Sequence, residues 1–166
     1  FKRYGKSPEL GFDDVDFPSP GDDEILVKVY AVGLNPIDNM IPTGMFKRVL
    51  HFSLPATLGS DVSGVVVATG RRVTRFKVGD EVFASIFDRG TGSLAEFVRV
   101  PENLAALKPA TLDFVQAASL PMVSLTSWQV LTERAKLRAG QKVFIPAGSG
   151  GIGSFAIQLA KHLGAT

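Results

Sequence analysis

The stretch that most constrains this chain is VFIPAGSGGIGSFAIQLAKHLGAT, residues 143–166. Val143, Phe144 and Ile145 form an apolar run that leads into Gly148-Ser149-Gly150-Gly151-Ile152-Gly153. After the glycines, Ile152, Phe155, Ala156, Leu159, Ala160 and Leu163 recur at i, i+3, i+4, i+7, i+8 and i+11. That spacing draws one apolar stripe along a helix, and Gly164 is placed to cap its C-terminus. Strand, glycine turn and helix in immediate succession predict the opening unit of a parallel α/β sheet.

Gly148-x-Gly150-x-x-Gly153 satisfies the dinucleotide-binding fingerprint. Glycines let the backbone turn sharply and approach a pyrophosphate, and the helix then offers the anion its free N–H groups and positive dipole end. The same glycines could serve only a tight turn, so the context of strand before and helix after carries the cofactor reading. No Gly-Lys-Ser/Thr follows, which excludes a P-loop. The acidic residue that would hold the ribose hydroxyl is expected about twenty positions on, past Thr166. The sequence therefore carries half of a cofactor site.

Upstream, the chain reads as β-rich. EILVKVYAVGL (24–34) alternates apolar and polar, DVSGVVVATG (61–70) is β-branched, GDEVFASIF (79–87) opens on a turn, and SLAEFVRVP (93–101) alternates again. Short strands parted by Gly, Pro and Asp predict a small barrel or sandwich. Near Thr111 the pattern changes. TLDFVQAASL carries a capping residue and helical spacing, and PMVSLTSWQVLTERAKL follows with Pro121 suited to a first helical turn. Trp128 on that helix is expected in the core, and AGQKVFIPAG (139–148) returns to strand. The organisation is thus α+β passing into α/β, with a first domain over 1–118 and a second over 119–166.

The net charge is +2, and the densest basic cluster, Arg71, Arg72 and Arg75, is followed by Asp80 and Glu81. That pattern argues against nucleic-acid binding. There is no cysteine, which removes disulfides, thiolate zinc ligands and a cysteine nucleophile, and suits a cytoplasmic location. No apolar run approaches a membrane span, and no membrane partner is expected. The chain begins at Phe1 rather than Met, and its natural start is expected to lie upstream.

Six segments, in order, carry a resemblance: GLNPIDNMIPTG (33–44), LPATLGSDVSGVVVATG (54–70), VTRFKVGDEVFA (73–84), GSLAEFVRVP (92–101), AASLPMVSLTSWQVL (117–131) and AGQKVFIPAGSGGIGSFAIQLAKHLGA (139–165). Together they resemble the medium-chain dehydrogenase/reductase superfamily, in its zinc-free quinone oxidoreductase branch. The resemblance implies a GroES-like β-barrel catalytic domain followed by the truncated start of a Rossmann domain. It implies a longer parent enzyme, homodimeric, of which this chain is the N-terminal half and alone inactive. It further implies hydride transfer from NADPH, with NADH as the other possibility, to a quinone or α,β-unsaturated carbonyl.

Zinc-dependent members of that superfamily place a cysteine ligand where Asn35 stands and a His-Glu pair at Ser60 and Asp61. Amide and hydroxyl are poor zinc ligands, so no metal is expected. His51 is read as a loop or packing residue, and His162 as lying near a helix C-terminus, where a positive form would favour the dipole. The resemblance marks Asn35 and Asp38, in NPID, as the segment beside the nicotinamide and as catalytic candidates. A plain reading of the same residues is an Asn-Pro turn whose aspartate caps the next helix, and both readings stand. Where relatives often carry an aromatic residue and an arginine after that aspartate, this chain has Met40 and Pro42. Thr126 resembles a cofactor contact, against the alternative of a helix threonine bonding back to its own backbone. Ser149, Gly150, Gly151, Ile152 and Gly153 match the pyrophosphate turn. Two rivals remain: a GroES-like binding or interaction module without chemistry, and an enoyl-thioester reductase of the same superfamily.

Overall fold

The computed structural model describes residues 1–166. The chain divides into two compact units, Phe1–Ser119 and Leu120–Thr166.

In the first unit the elements are β1 (Glu24–Gly33), α1 (Pro36–Met40), β2 (Asp61–Thr69), β3 (Glu81–Ser85), β4 (Phe97–Pro101), β5 (Ala105–Leu107) and α2 (Phe114–Ala118). The strands form one antiparallel sheet in the order β4-β1-β2-β3-β5. Alternation decides which side chains meet. Ile25 and Val27 of β1, Val62 and Val66 of β2, Val82 and Ala84 of β3, and Val98 and Val100 of β4 form one buried cluster. Within each strand these residues are an even number of places apart, two in β1, β3 and β4 and four in β2, as one face of a strand requires.

A small barrel or sandwich is what the strand pattern predicts, and a GroES-like barrel what the resemblance implies; its closure follows from chain length. The edge strands β4 and β5 are joined only by the single helical turn Glu102–Leu104. Four flat inter-strand spacings would separate them by ~19 Å, while the link from Pro101 to Ala105 can reach ~14 Å at most. The sheet must therefore roll toward a barrel. Irregularities in the β1–β2 register, between Leu26 and Val27 and between Val29 and Ala31, supply extra twist. The strand expected over 93–101 begins only at Phe97, because the Ser93 N–H is turned away to the Gly59 carbonyl at 3.1 Å.

α2 starts after Asp113 rather than at Thr111. The Asp113 carboxylate accepts from the Gln116 N–H at 2.7 Å, and Gln116 Oε1 accepts from the Asp113 N–H at 3.1 Å, a reciprocal capping box. The far end of α2 lies against the end of β1. A Cβ on Gly33 would sit 2.2 Å from the Ala118 carbonyl oxygen, so only glycine fits there.

The second unit comprises α3 (Pro121–Trp128), a wider π-type turn (Gln129–Arg134) and α4 (Gly151–His162). Its core is Leu131, Ala156, Ala160 and Ala165, flanked by Leu137, Val143, Ile145 and Leu159. Ile152, the first residue of the expected stripe, is 47% exposed. Residues 141–145, expected as strand, run without a strand assignment. Val143 N–H donates to Thr166 at 2.8 Å, Thr166 N–H donates to Gln141 at 2.9 Å, and Gln141 N–H donates to Arg138 at 3.2 Å. Trp128 also departs from expectation, being half-exposed. Val123 and Ser127 occupy the face of α3 that meets α4, and Trp128 points about 100° round the helix from Ser127.

Candidate functional site

β1 delivers the chain at Gly33, and Asn35 caps the helix that follows. Its extended backbone (φ −114°, ψ 153°) turns into Pro36, whose fixed φ suits a first helical position. Asp38 sits at the third helical position. One carboxylate oxygen accepts the Asn35 N–H at 2.8 Å, and the Asp38 N–H donates to the Asn35 carbonyl at 2.9 Å. The Asn35 side-chain amide turns away from this loop and donates to Asp61 Oδ2 at 3.1 Å.

Asp38 is only 5% exposed. Burial pushes its carboxyl above the usual aspartate range, and the backbone N–H groups of Asn35 and Gly59 partly offset that rise. Asp38 is thus a helix cap and also a buried acid. Met40 is 39% exposed, while Pro42 is fully buried beneath the loop. The available donors here are an amide, a hydroxyl at Ser60, and the carboxylates of Asp38 and Asp61. No three His, Cys, Asp or Glu side chains converge anywhere in the chain.

In the second unit, the glycine turn is built by close approach. Gly150 N–H donates to Ala147 at 3.0 Å, closing the turn, and Ser154 N–H donates to Gly150 at 2.8 Å, starting α4. A Cβ on Gly153 would lie 2.2 Å from the Ala147 carbonyl oxygen and 2.8 Å from Gly148 Cα. The third glycine therefore lets the first helical turn press on the loop. Gly150 is the N-cap, with no side chain to satisfy the first N–H groups, and no acidic residue stands in the first turn. These amides face outward, with Ser149, Gly150, Gly151 and Ile152 all exposed. The end of α4 carries Lys161 and His162, matching the helix dipole.

Ser149 through Gly153 are thus brought together at one helix start. α3 packs on it: Val123 Cγ1 lies 3.0 Å from the Cβ that Gly151 lacks, and the Ser127 hydroxyl donates to the Ile152 carbonyl at 3.2 Å. Thr126 lies beside these contacts, half-buried. The hydroxyls that bond back along α3 are those of Ser124, to Pro121, and Ser127, to Val123. Asn35 and Asp38 form their own group in the first unit. Sequence reasoning missed the partnership of Asn35 with Asp61, which the register Gly33↔Asp61 creates. It also missed Ser127, whose only signal is its place four residues after Val123. His51 lies in an exposed loop, and His162 sits in the last turn of α4.

Residues 21–110 match the family described as the alcohol dehydrogenase GroES-like domain. The NADPH-dependent alkenal/one oxidoreductase, chloroplastic, of Arabidopsis thaliana is 43% identical over 98% of this chain and 44% of its own length. An alcohol dehydrogenase superfamily protein from Novosphingobium aromaticivorans superposes with a TM-score of 0.90 at 39% identity, covering 98% of this chain and 49% of that one. The quinone oxidoreductase from Coxiella burnetii superposes with a TM-score of 0.85 at 35% identity, covering 100% and 53%. The chain spans about half the length of these relatives. No helix is long and apolar enough to cross a membrane.

Proposed function

The chain belongs to the medium-chain dehydrogenase/reductase family, in its quinone oxidoreductase branch, and from that premise we propose that it is part of a zinc-independent, NADPH-dependent reductase of quinones or α,β-unsaturated carbonyls. The observation that carries this reading is the glycine turn at Gly148–Gly153. Its backbone fits a pyrophosphate, because the close approach at Gly153 and the bare N-cap at Gly150 leave unscreened N–H groups at the start of α4.

Bound NADPH would supply the hydride, and such acceptors are electron-poor enough to take it without a metal to polarise them. The work left to the protein is positioning. We assign Ser149, Gly150, Gly151, Ile152 and Gly153 to the pyrophosphate and Thr126 to the adjoining ribose and phosphates. Asn35 and Asp38 are assigned to the nicotinamide. Asn35 is well suited to orient a group, since its amide is itself held by Asp61. The proton that completes reduction comes from solvent or a nearby polar group. In this reading residues 1–118 form the catalytic domain and 119–166 begin the cofactor domain of a homodimeric, cytoplasmic enzyme. NADH is the second choice of donor.

The test is NADPH oxidation by the full-length protein, offered a quinone, an enone, an enoyl thioester and the matching saturated ketone in parallel. Turnover of the quinone or enone but not the saturated ketone supports the reading. Preference for the enoyl thioester moves the protein to that rival activity. Failure to bind either nicotinamide cofactor turns it into a non-catalytic binding module.

A further inference from the structure

A second concave site lies in the first unit, on the loop after α1. An open groove of about 590 Å³ is lined by Tyr4, Gly44, Lys47, Arg48, His51 and Phe52. Its volume falls in the range that holds small organic molecules. None of the residues assigned above to cofactor or acceptor contributes to it.

Its charge is uncompensated. The nearby basic side chains Lys2 and Arg3 are paired, with Asp13 at 2.8 Å and with Glu9 at 3.6 Å. Lys47 and Arg48 enter none of the ion pairs in the chain. No carboxylate lines the groove, so two cations stand together at its rim with nothing to neutralise them. Two cations on one groove, neither in an ion pair, favour an anion.

The wall is aromatic. Phe1 packs edge-on against Tyr4, centroids 5.4 Å apart, and against Phe52 at 6.2 Å. The Lys47 ammonium lies over the Tyr4 ring, 5.2 Å from its centroid, which fixes that cation on the aromatic surface. Backbone bonds hold the walls in register: Gly5 N–H to Pro42 at 3.1 Å, Ala56 N–H to Phe1 at 3.0 Å and Lys47 N–H to Gly44 at 3.1 Å. A bare inorganic anion would leave the aromatic wall at Phe52 unused. An uncharged aromatic would leave Lys47 and Arg48 unpaired. A ligand that uses both carries a flat apolar body and one anionic end, and a carboxylate matches the fork of the Arg48 guanidinium.

We propose that the groove between Tyr4, Phe52, Lys47 and Arg48 is a binding site for a small aromatic carboxylate. The experiment is calorimetric titration of the chain with 2-naphthoate at low salt, with neutral 2-naphthamide as the matched probe. Saturable naphthoate binding is expected, at least tenfold tighter than the amide and weakened by added salt. In Lys47→Ala/Arg48→Ala the naphthoate affinity falls tenfold or more while the circular dichroism spectrum is unchanged, since both side chains are exposed. Lys2→Ala, which removes an ammonium paired elsewhere, leaves the affinity as it was. Equal affinity for the amide, undiminished binding by the double variant, or no binding of naphthoate would each overturn the assignment.

Discussion

The side-chain amide of Asn35 donates to Asp61 Oδ2 at 3.1 Å, tying the residue that starts α1 to the residue that starts β2. Asp61 is fully buried and the bond to it partly so, and removing a donor from a buried acceptor is costly. Asn35→Ala should lower the stability of the chain by about 1–3 kcal/mol. Urea denaturation of variant and parent chains gives the number directly. A change too small to resolve would mean that Asp61 does not depend on Asn35.

Asp38 makes stability fall with pH in one particular window. Its folded-state carboxyl holds a proton more tightly than an unfolded aspartate does, because burial disfavours the charge. Between the ordinary aspartate value and the raised one, the folded state therefore binds more protons, and stability falls as pH rises. Asp38→Asn keeps an acceptor for the Asn35 N–H and removes the titration. Relative to this variant, the parent chain should be at its best in acid and lose ground as pH climbs through the raised value. Parallel denaturation curves across that range should diverge, and parallel curves at every pH would refute the raised value.

Two glycines of the turn should separate packing from binding. Gly153→Ala forces a methyl to within 2.2 Å of the Ala147 carbonyl oxygen, and overpacking of that kind costs about 1–3 kcal/mol. Gly150 has ordinary backbone angles (φ −78°, ψ 168°) and its nearest neighbour to a new Cβ is at 3.4 Å. Gly150→Ala should therefore leave the melting temperature nearly unchanged while weakening NADPH affinity in the full-length protein. Wild-type affinity in Gly150→Ala would remove the turn from the proposed pyrophosphate site.

The capping box of α2 is a local matter and should behave as one. Asp113→Ala frees the Gln116 N–H and should cost about 1 kcal/mol. Asp113→Asn, which retains an acceptor, should recover most of the loss. The same denaturation experiment decides, and equal losses in the two variants would show that the bond to Gln116 is not the source.

How legible the molecule was depends on the range of the interaction. Every strand of the first unit except β5, which is only three residues long, was visible locally: β1 and β4 as period-two alternation, β2 as a β-branched run and β3 as a segment opening on a turn. The cap of α2 was visible in part, since Asp113 and Gln116 lie three apart, although the helix was expected to open two residues earlier. At the sites, the glycine turn could be read from spacing alone. The nature of Asp38 could not, because a helix cap and a buried acid look identical in NPID until the rest of the sheet is folded around it.

By itself, then, the sequence determined what depends on residues a few places apart: alternation in the strands, the helical stripe of α4, and the glycines that let α4 press on its turn. Only the tertiary structure decided what depends on residues meeting from far along the chain. It brought Asn35 to Asp61 through the β1–β2 register. It left Trp128 half-exposed because Val123 and Ser127 took the packed face of α3. Local pattern states what a segment can form, and a hydrogen-bond or packing partner decides whether it does.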